Sequence, residues 1–354
     1  MEPATNFHDA LVLAVLALLA IAALLMLVTV SRHAVITLRL RRHAKRRATL
    51  LPLLCRAVDD PEQRDELTSK LRRGDRAVLL HLLLQLALDL RGEGLDRVAE
   101  LAETLGIVRV ERRRLRSSRA TKRADAAKNL GLLRARDALP ALLRLIDTDR
   151  RRSVRVASAW ALSEIGGSEA VRGLLAMLDD REAGVVRRAQ ELLLGTAPDA
   201  AAEIVRHARG TDSAPARRAA VELLGALRDP LASELLMELV DAPDPELRTK
   251  ATKAAATIGD PRFLETFCRL LSDPSWPVRC QAATGLGAIG AVEAIAQLRD
   301  AMSDAAWWVR FNAASSLASL GAPGRAALAE ATTDEDANRR EVARYVLQRT
   351  GLAA

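Results

Sequence analysis

A period of about 31 residues runs through most of the chain and restricts it to repeat architectures. Four segments align without gaps: SVRVASAWALSEIG (153–166), ELRTKATKAAATIG (246–259), PVRCQAATGLGAIG (277–290) and WVRFNAASSLASLG (308–321). Weaker copies fill the intervals, and one arginine marks each of eight repeats: Arg123, Arg155, Arg187, Arg217, Arg248, Arg279, Arg310 and Arg340. A constant period of this size is the signature of a solenoid.

Each period contains two amphipathic stretches. In the sixth repeat, residues 261–273 read PRFLETFCRLLSD, and a second stretch follows Pro274. The Asp-Pro step predicts a helix boundary, and Gly290 fits the left-handed residue that ends a helix. Neither helix can bury its apolar face alone, so neighbouring pairs are expected to stack. Because aromatic residues make up only 3% of the chain, the core is expected to be Leu, Ala, Val and Ile, and the fold all-α.

The repeat resembles the HEAT-like repeat, particularly the short form of the phycobilin lyases. In that family a unit reads roughly Asp, five residues, Val-Arg, two residues, Ala-Ala, two residues, Leu-Gly. The pairs Asp149/Arg155, Asp273/Arg279, Asp304/Arg310 and Asp334/Arg340 keep this separation. The resemblance covers residues 116–354 and implies an α-α superhelix whose second helices line the inner surface. The regular Asp and Arg residues are interpreted as a ladder that holds one repeat on the next.

An uncharged apolar run from Ala10 to Val30 precedes these repeats. As a helix it would extend roughly 32 Å, which matches the hydrocarbon core of a membrane. We therefore expect residues 1–31 to carry a single transmembrane helix. Basic residues follow the run and none precedes it, so the N-terminus is expected outside the bacterial inner membrane and the solenoid in the cytoplasm.

Residues 32–115 are expected to form a basic, divergent helical region, with helices near 62–72, 76–91, 95–105 and 108–117. Residues 32–123 hold 23 Lys and Arg against 12 Asp and Glu. Seven basic side chains next to the apolar run are predicted to contact anionic lipid headgroups: Arg32, Arg39, Arg41, Arg42, Lys45, Arg46 and Arg47. A second basic cluster at 109–123 is interpreted as a solvated face, with lipid phosphate, an acidic protein or RNA as alternatives.

No catalytic, metal or cofactor site is predicted. Gly285, Gly287 and Gly290 match a dinucleotide fingerprint, but they end a helix where that chemistry requires a strand before and a helix after. The five histidines and three cysteines are scattered and have no companion ligands. We therefore expect the chain not to be an enzyme.

Aromatic residues gather in the last repeats. Trp276 and Trp307 each lie three residues before the arginine of their repeat, and Trp308, Phe311 and Asn312 adjoin the second. These five residues are predicted to form a partner-binding patch on the inner surface, because Trp is favoured in binding hot spots. The alternative is that they pack between repeats.

The function expected from these features is a membrane-anchored cytoplasmic scaffold or adaptor. It would bind a protein partner through the solenoid, such as part of a membrane enzyme complex. Two alternatives remain: a lyase-like enzyme or enzyme subunit, and nucleic-acid binding through the basic region. Binding to nucleic acid is the less expected, since the basic excess lies outside most of the repeats.

Overall fold

The computed structural model describes residues 24–33, 37, 44–72, 74–180, 182–196 and 200–351. All regular secondary structure in these ranges is helical. The chain divides into two compact units, Met1–Val110 and Glu111–Ala354. The second unit therefore begins a few residues before the predicted start of the repeats.

Helices make up the described part of the first unit. Residues 24–33 and 44–59 are helical, and a 3-10 turn (Pro61–Gln63) precedes three helices: α1 (Arg64–Ser69), α2 (Arg76–Asp89) and α3 (Glu93–Thr104). Helix α4 (Ile107–Arg114) crosses the division between the units. The four helices predicted between 62 and 117 agree with α1 to α4 within a few residues. Helix α2 buries Leu79, Leu82 and Leu83, which explains its long apolar run.

Among the described residues, no helix is both long enough and apolar enough to cross a membrane. The predicted location, a single pass through the inner membrane with the N-terminus outside and the solenoid cytoplasmic, is therefore wrong for the chain as described. Residues 10–23 of the predicted span lie outside the described residues.

The second unit is a series of helix pairs, in agreement with the predicted solenoid. Eight second helices carry the repeat arginines: α5 (Ala120–Leu132), α7 (Arg152–Ile165), α9 (Ala183–Gly195), α11 (Ala214–Leu227), α13 (Pro245–Ile258), α15 (Trp276–Ala288), α17 (Trp307–Ser319) and α19 (Ala337–Thr350). First helices alternate with them: α6 (Leu139–Thr148), α8 (Ser168–Ala176), α10 (Ala200–Gly210), α12 (Ser233–Leu239), α14 (Leu264–Leu270), α16 (Ile295–Ala301) and α18 (Gly321–Glu330). Short 3-10 turns begin several first helices, as Pro261–Phe263 does before α14.

Small residues let the second helices approach each other closely. A Cβ added to Gly131 in α5 would lie 2.7 Å from the Ala161 Cα in α7, and one added to Gly225 in α11 would lie 2.9 Å from the Ala254 Cα in α13. Contacts this short have no room for a larger side chain. The remaining core is mostly aliphatic, with Leu286 fully buried, and it also contains the fully buried rings of Phe263 and Phe267.

The predicted ladder of Arg and Asp residues is confirmed, and it joins successive repeats. Arg279 donates from Nε and Nη2 to the Asp304 carboxylate at 2.6 and 2.9 Å, and from Nη1 to the Asp273 backbone carbonyl at 2.8 Å. Arg248 makes the same bidentate pair with Asp273, at 3.0 and 3.1 Å. Each of these two arginines therefore binds the backbone of its own repeat and the carboxylate of the next.

Candidate protein-binding surface

Four aromatic side chains meet between α17 and α19, and we call them the aromatic cluster: Trp307, Trp308, Phe311 and Tyr345. The Trp307 and Phe311 rings stack with centroids 5.1 Å apart and an interplanar angle of 6°. Trp308 and Tyr345 meet Trp307 edge-on, at 4.9 and 6.0 Å. Positions 307 and 311 share a helical face because they are four residues apart.

The cluster packs between helices and is exposed at the same time. Trp308 is 55% exposed, Tyr345 44% and Trp307 38%, whereas Phe311 is half-buried beneath them. Exposed aromatic rings in contact form a continuous apolar patch, and exposed apolar patches are typical of interaction sites. Packing between repeats, one of the two arrangements left open by the sequence, is therefore observed together with exposure of the rings. The partner-binding patch stays a prediction.

Tyr345 and Arg349 belong to this surface and were not predicted. The Arg349 guanidinium lies 5.1 Å from the centroid of the Phe311 ring, within the range of a cation–π contact. Their positions in the repeat differ from those of the tryptophans, so alignment of repeats does not find them. Only a weak sequence signal could have indicated Tyr345: it is the chain's one tyrosine, and it lies in the second helix of the repeat after that of Trp307.

The other two predicted site residues have different surroundings. Trp276 is 46% exposed and forms no ring pair with any described aromatic side chain. Asn312 is held in place, since its amide nitrogen donates to the Trp308 carbonyl at 2.7 Å and to Cys280 Sγ at 3.2 Å. Its oxygen accepts from Thr284 at 3.2 Å. Asn312 thus links α15 to α17 beside the aromatic cluster.

The ladder arginines of α17 and α19 have no carboxylate partners in the described part of the chain. Arg310 donates to the backbone carbonyls of Asp304 and Ala305, and Arg340 to those of Asp334 and Glu335. Neither guanidinium pairs with a carboxylate of a described residue. The Asp334 carboxylate instead accepts from Arg299 at 2.9 Å, and the pKa of Asp334 is lowered to about 2, chiefly by the Asp336 backbone N–H and then by Arg299.

The residues predicted to contact lipid differ in their surroundings. Arg39, Arg41 and Arg42 lie outside the described residues. Arg32, Lys45 and Arg47 are exposed. Arg46 is occupied, since it pairs with the buried Asp75 and donates to the Lys70 carbonyl at 3.2 Å. That guanidinium holds the pKa of the Asp75 carboxyl below its usual range. Lipid binding by these residues stays a prediction that the structure does not support.

The second basic cluster is partly structural. Arg123 belongs to the ladder through Asp149, at 2.7 and 2.9 Å, and the contact lowers the pKa of Asp149. Arg114 donates to the buried Glu111 at 2.8 Å. The remaining side chains of the cluster that belong to the second unit are exposed: Arg112, Arg113, Arg116, Arg119 and Lys122.

Reactive groups are sparse in the part of the chain that the structure describes. No group of His, Cys, Asp and Glu there is placed to hold a metal ion. The three cysteines are free thiols, and burial raises the pKa of Cys280. His207 is half-buried, and desolvation lowers its pKa. Gly285, Gly287 and Gly290 lie at the end of α15, so they form a helix terminus and no nucleotide-binding turn.

The family model for HEAT repeats matches residues 112–195, 201–273 and 264–348. The chain belongs to the HEAT repeat family. Among curated proteins, no relative of this HEAT repeat protein is found.

Solved structures with a similar fold are distant in sequence. The complex of CpcE and CpcF of phycocyanin lyase from Nostoc sp. PCC7120 is 22% identical, with 68% of this chain and 94% of that chain covered and a TM-score of 0.30. Importin beta is 14% identical, with 80% and 50% covered and a TM-score of 0.47. Kap95p, solved with RanGDP, is 12% identical, with 87% and 50% covered and a TM-score of 0.45. The chain thus spans half the length of the last two proteins, and the likeness concerns the fold alone.

Proposed function

We propose that this HEAT repeat protein is an interaction scaffold that docks a protein partner on the aromatic cluster. The observation that carries the proposal is the contact of Trp307, Trp308, Phe311 and Tyr345 in one exposed surface. Tryptophan and tyrosine dominate binding hot spots because they bury a large area and lose few degrees of freedom.

Two further features support docking at this place. The rings are already fixed by stacking and by α17 and α19, so binding orders few side chains, which reduces its entropic cost. Arg349 lies over the Phe311 ring, and arginine is enriched at interfaces. Arg310 and Arg340, on the same two helices, have no carboxylate partners among the described residues. A solenoid also suits this role, since stacked repeats present an extended surface to a partner.

The alternatives have less to support them. A lyase-like activity would need convergent polar groups in a pocket, and nucleic-acid binding would need exposed cations interleaved with aromatic rings. The exposed cations at 112–122 lie on α4, α5 and the loop between them, and the aromatic cluster lies on α17 and α19. That the chain is not an enzyme stays a prediction.

The test is site-specific photo-cross-linking in the native cell. A photoreactive phenylalanine replaces Trp308 in one variant and Leu231, 65% exposed on the 3-10 turn before α12, in the control. We expect a discrete cross-linked protein from position 308 and none of the same mass from position 231. Adding Trp307→Ala should reduce that product by tenfold or more, as loss of about 2 kcal/mol at a hot spot implies. Equal products from both positions, or no effect of Trp307→Ala, would contradict the proposal.

A further inference from the structure

A cleft of about 540 Å³ lies between the carboxyl ends of α13 and α15. Its walls include Lys253 and Thr257 from α13, Gln281 and Thr284 from α15, and Arg228 from the residue that ends α11. Thr284 donates to Asn312, whose amide donates to the Trp308 carbonyl. Hydrogen bonds therefore link one wall of the cleft to α17, the helix that carries Trp307, Trp308 and Phe311.

Its charge is positive and uncompensated. Lys253 and Arg228 are exposed, and neither side chain donates to any acceptor among the described residues. Lys250, one turn earlier on α13, is instead paired with Glu222. The residues that line the cleft include no carboxylate.

Neighbouring carboxylates are held by other donors. Asp229 follows Arg228 in sequence, and its side chain accepts from the Leu231 backbone N–H at 2.9 Å. Asp260 accepts from the Arg262 guanidinium at 2.7 Å and from the Arg262 backbone N–H at 3.0 Å. No carboxylate among the described residues pairs with Lys253 or Arg228, so both cations are free to bind one from a partner.

The cleft is also lined by residues whose backbone carbonyls are free to accept hydrogen bonds. Helix α13 ends when the Gly259 N–H donates to the Ala255 carbonyl. The carbonyls of the next three residues, Ala256, Thr257 and Ile258, accept no backbone N–H among the described residues, as expected for the last turn of a helix. Such a site suits a ligand that has N–H donors as well as an anion, which a peptide has and a phosphate ion lacks.

Arg228 has an unusual backbone conformation at this place. Its φ and ψ of 54° and 31° are left-handed, and Gly259 takes the same conformation at the end of α13. Glycine adopts it without steric cost, whereas a residue with a side chain is strained there.

We propose that this cleft binds an acidic side chain of an extended partner segment. Lys253 and Arg228 hold the carboxylate, and Gln281 and the free carbonyls of α13 bind the peptide backbone. An aromatic or aliphatic side chain of the same segment contacts the aromatic cluster. This assignment rests on the proposed function and specifies a partner segment that carries both an acidic and an apolar side chain.

The experiment measures fluorescence anisotropy with the full chain and a labelled peptide of glutamates around one tryptophan, with blocked ends. A matched peptide has glutamine at each glutamate. We expect the acidic peptide to bind about tenfold more tightly, since a charged hydrogen bond contributes that factor or more. Lys253→Gln and Arg228→Gly should each weaken the binding of the acidic peptide about tenfold. Two controls should leave it unchanged: Lys250→Gln, whose lysine is already paired, and Arg134→Gly, which relieves the other left-handed arginine far along the chain from the cleft.

Several results would overturn the assignment. The first is equal binding of the two peptides, and the second is an effect of Lys250→Gln as large as that of Lys253→Gln. The third is displacement of the peptide by equimolar inorganic phosphate or by an oligothymidylate. Trp307→Ala separates this idea from the proposed function. If Trp307→Ala weakens binding of the acidic peptide and Lys253→Gln does not, the docking surface stands and the cleft assignment fails. If neither variant has an effect, both fail.

Discussion

Helix α17 has two neighbouring second helices, α15 and α19, and its contacts with them differ. The contact with α15 is made by small residues and an ion pair, whereas the contact with α19 is made by aromatic rings. At the first, Gly287 lies against Ser316, whose hydroxyl donates to the Ala283 carbonyl at 2.8 Å, and Arg279 is bidentate with Asp304. At the second, aromatic rings separate the helices and Arg310 has no carboxylate partner among the described residues. The first contact is closely packed and ion-paired, whereas the second leaves apolar rings exposed, and it is there that we propose a partner docks.

This comparison predicts very different costs for removing an aromatic ring. Phe267 on α14 is fully buried, so Phe267→Ala should destabilise the fold by about 3–5 kcal/mol, as core truncations of this kind do. Trp307→Ala should cost only about 1 kcal/mol, because its ring remains partly in water. Urea unfolding followed by circular dichroism measures both. Equal losses would place Trp307 in the core and remove the reason to regard it as a contact residue.

Breaking the ladder should be the next largest effect. Asp304→Ala leaves Arg279, whose side chain is 17% exposed, without its carboxylate, and should cost about 2 kcal/mol. Glu335→Ala, one residue beyond Asp334 and exposed, serves as the control and should change the unfolding free energy by less than about 0.5 kcal/mol. A cost for Asp304→Ala as small as the control would show that the ladder contributes little.

Acid should weaken the ladder. The pKa of Asp304 is lowered by the guanidinium of Arg279 and the Ala306 backbone N–H despite desolvation, and Arg262 lowers the pKa of Asp260 to about 2. A depressed carboxyl pKa contributes stability that is present above the unfolded value, about 3.9, and lost as pH falls towards 2. Urea midpoints between pH 6 and 2.5 should therefore drop mainly below pH 4. Asp304→Asn should flatten that dependence, and an unchanged dependence would contradict this account.

The smallest predicted effect is a gain. Arg228→Gly removes a side chain from a left-handed residue and should stabilise the fold by about 0.5–1 kcal/mol. Arg134, whose φ is 45°, offers a second test, and Arg134→Gly should behave in the same way. Thermal unfolding detects this as a rise of a few degrees at most. Destabilisation by either change would mean that the arginine side chain contributes contacts of its own.

The sequence determined the repeat unit, its length and its helix boundaries. These depend on local chemistry: the apolar period, the Asp and Pro residues that begin helices, and the glycines that end them. It also predicted that Asp and Arg form an inter-repeat ladder. The partners could not be read from the six-residue spacing, since the carboxylate that Arg279 binds is Asp304, 25 residues later.

The candidate surface was only partly contained in the sequence, and the tertiary structure decided the rest. Repeat alignment pointed to Trp307, Trp308 and Phe311, because equivalent positions line up when identical units stack. It also grouped Trp276 with them and missed Tyr345 and Arg349. Which rings touch depends on the offset between neighbouring helices, and small residues or rings at the contact set that offset. The apolar run at 10–30 had suggested a membrane span from length and hydropathy alone, and the described helices do not support it.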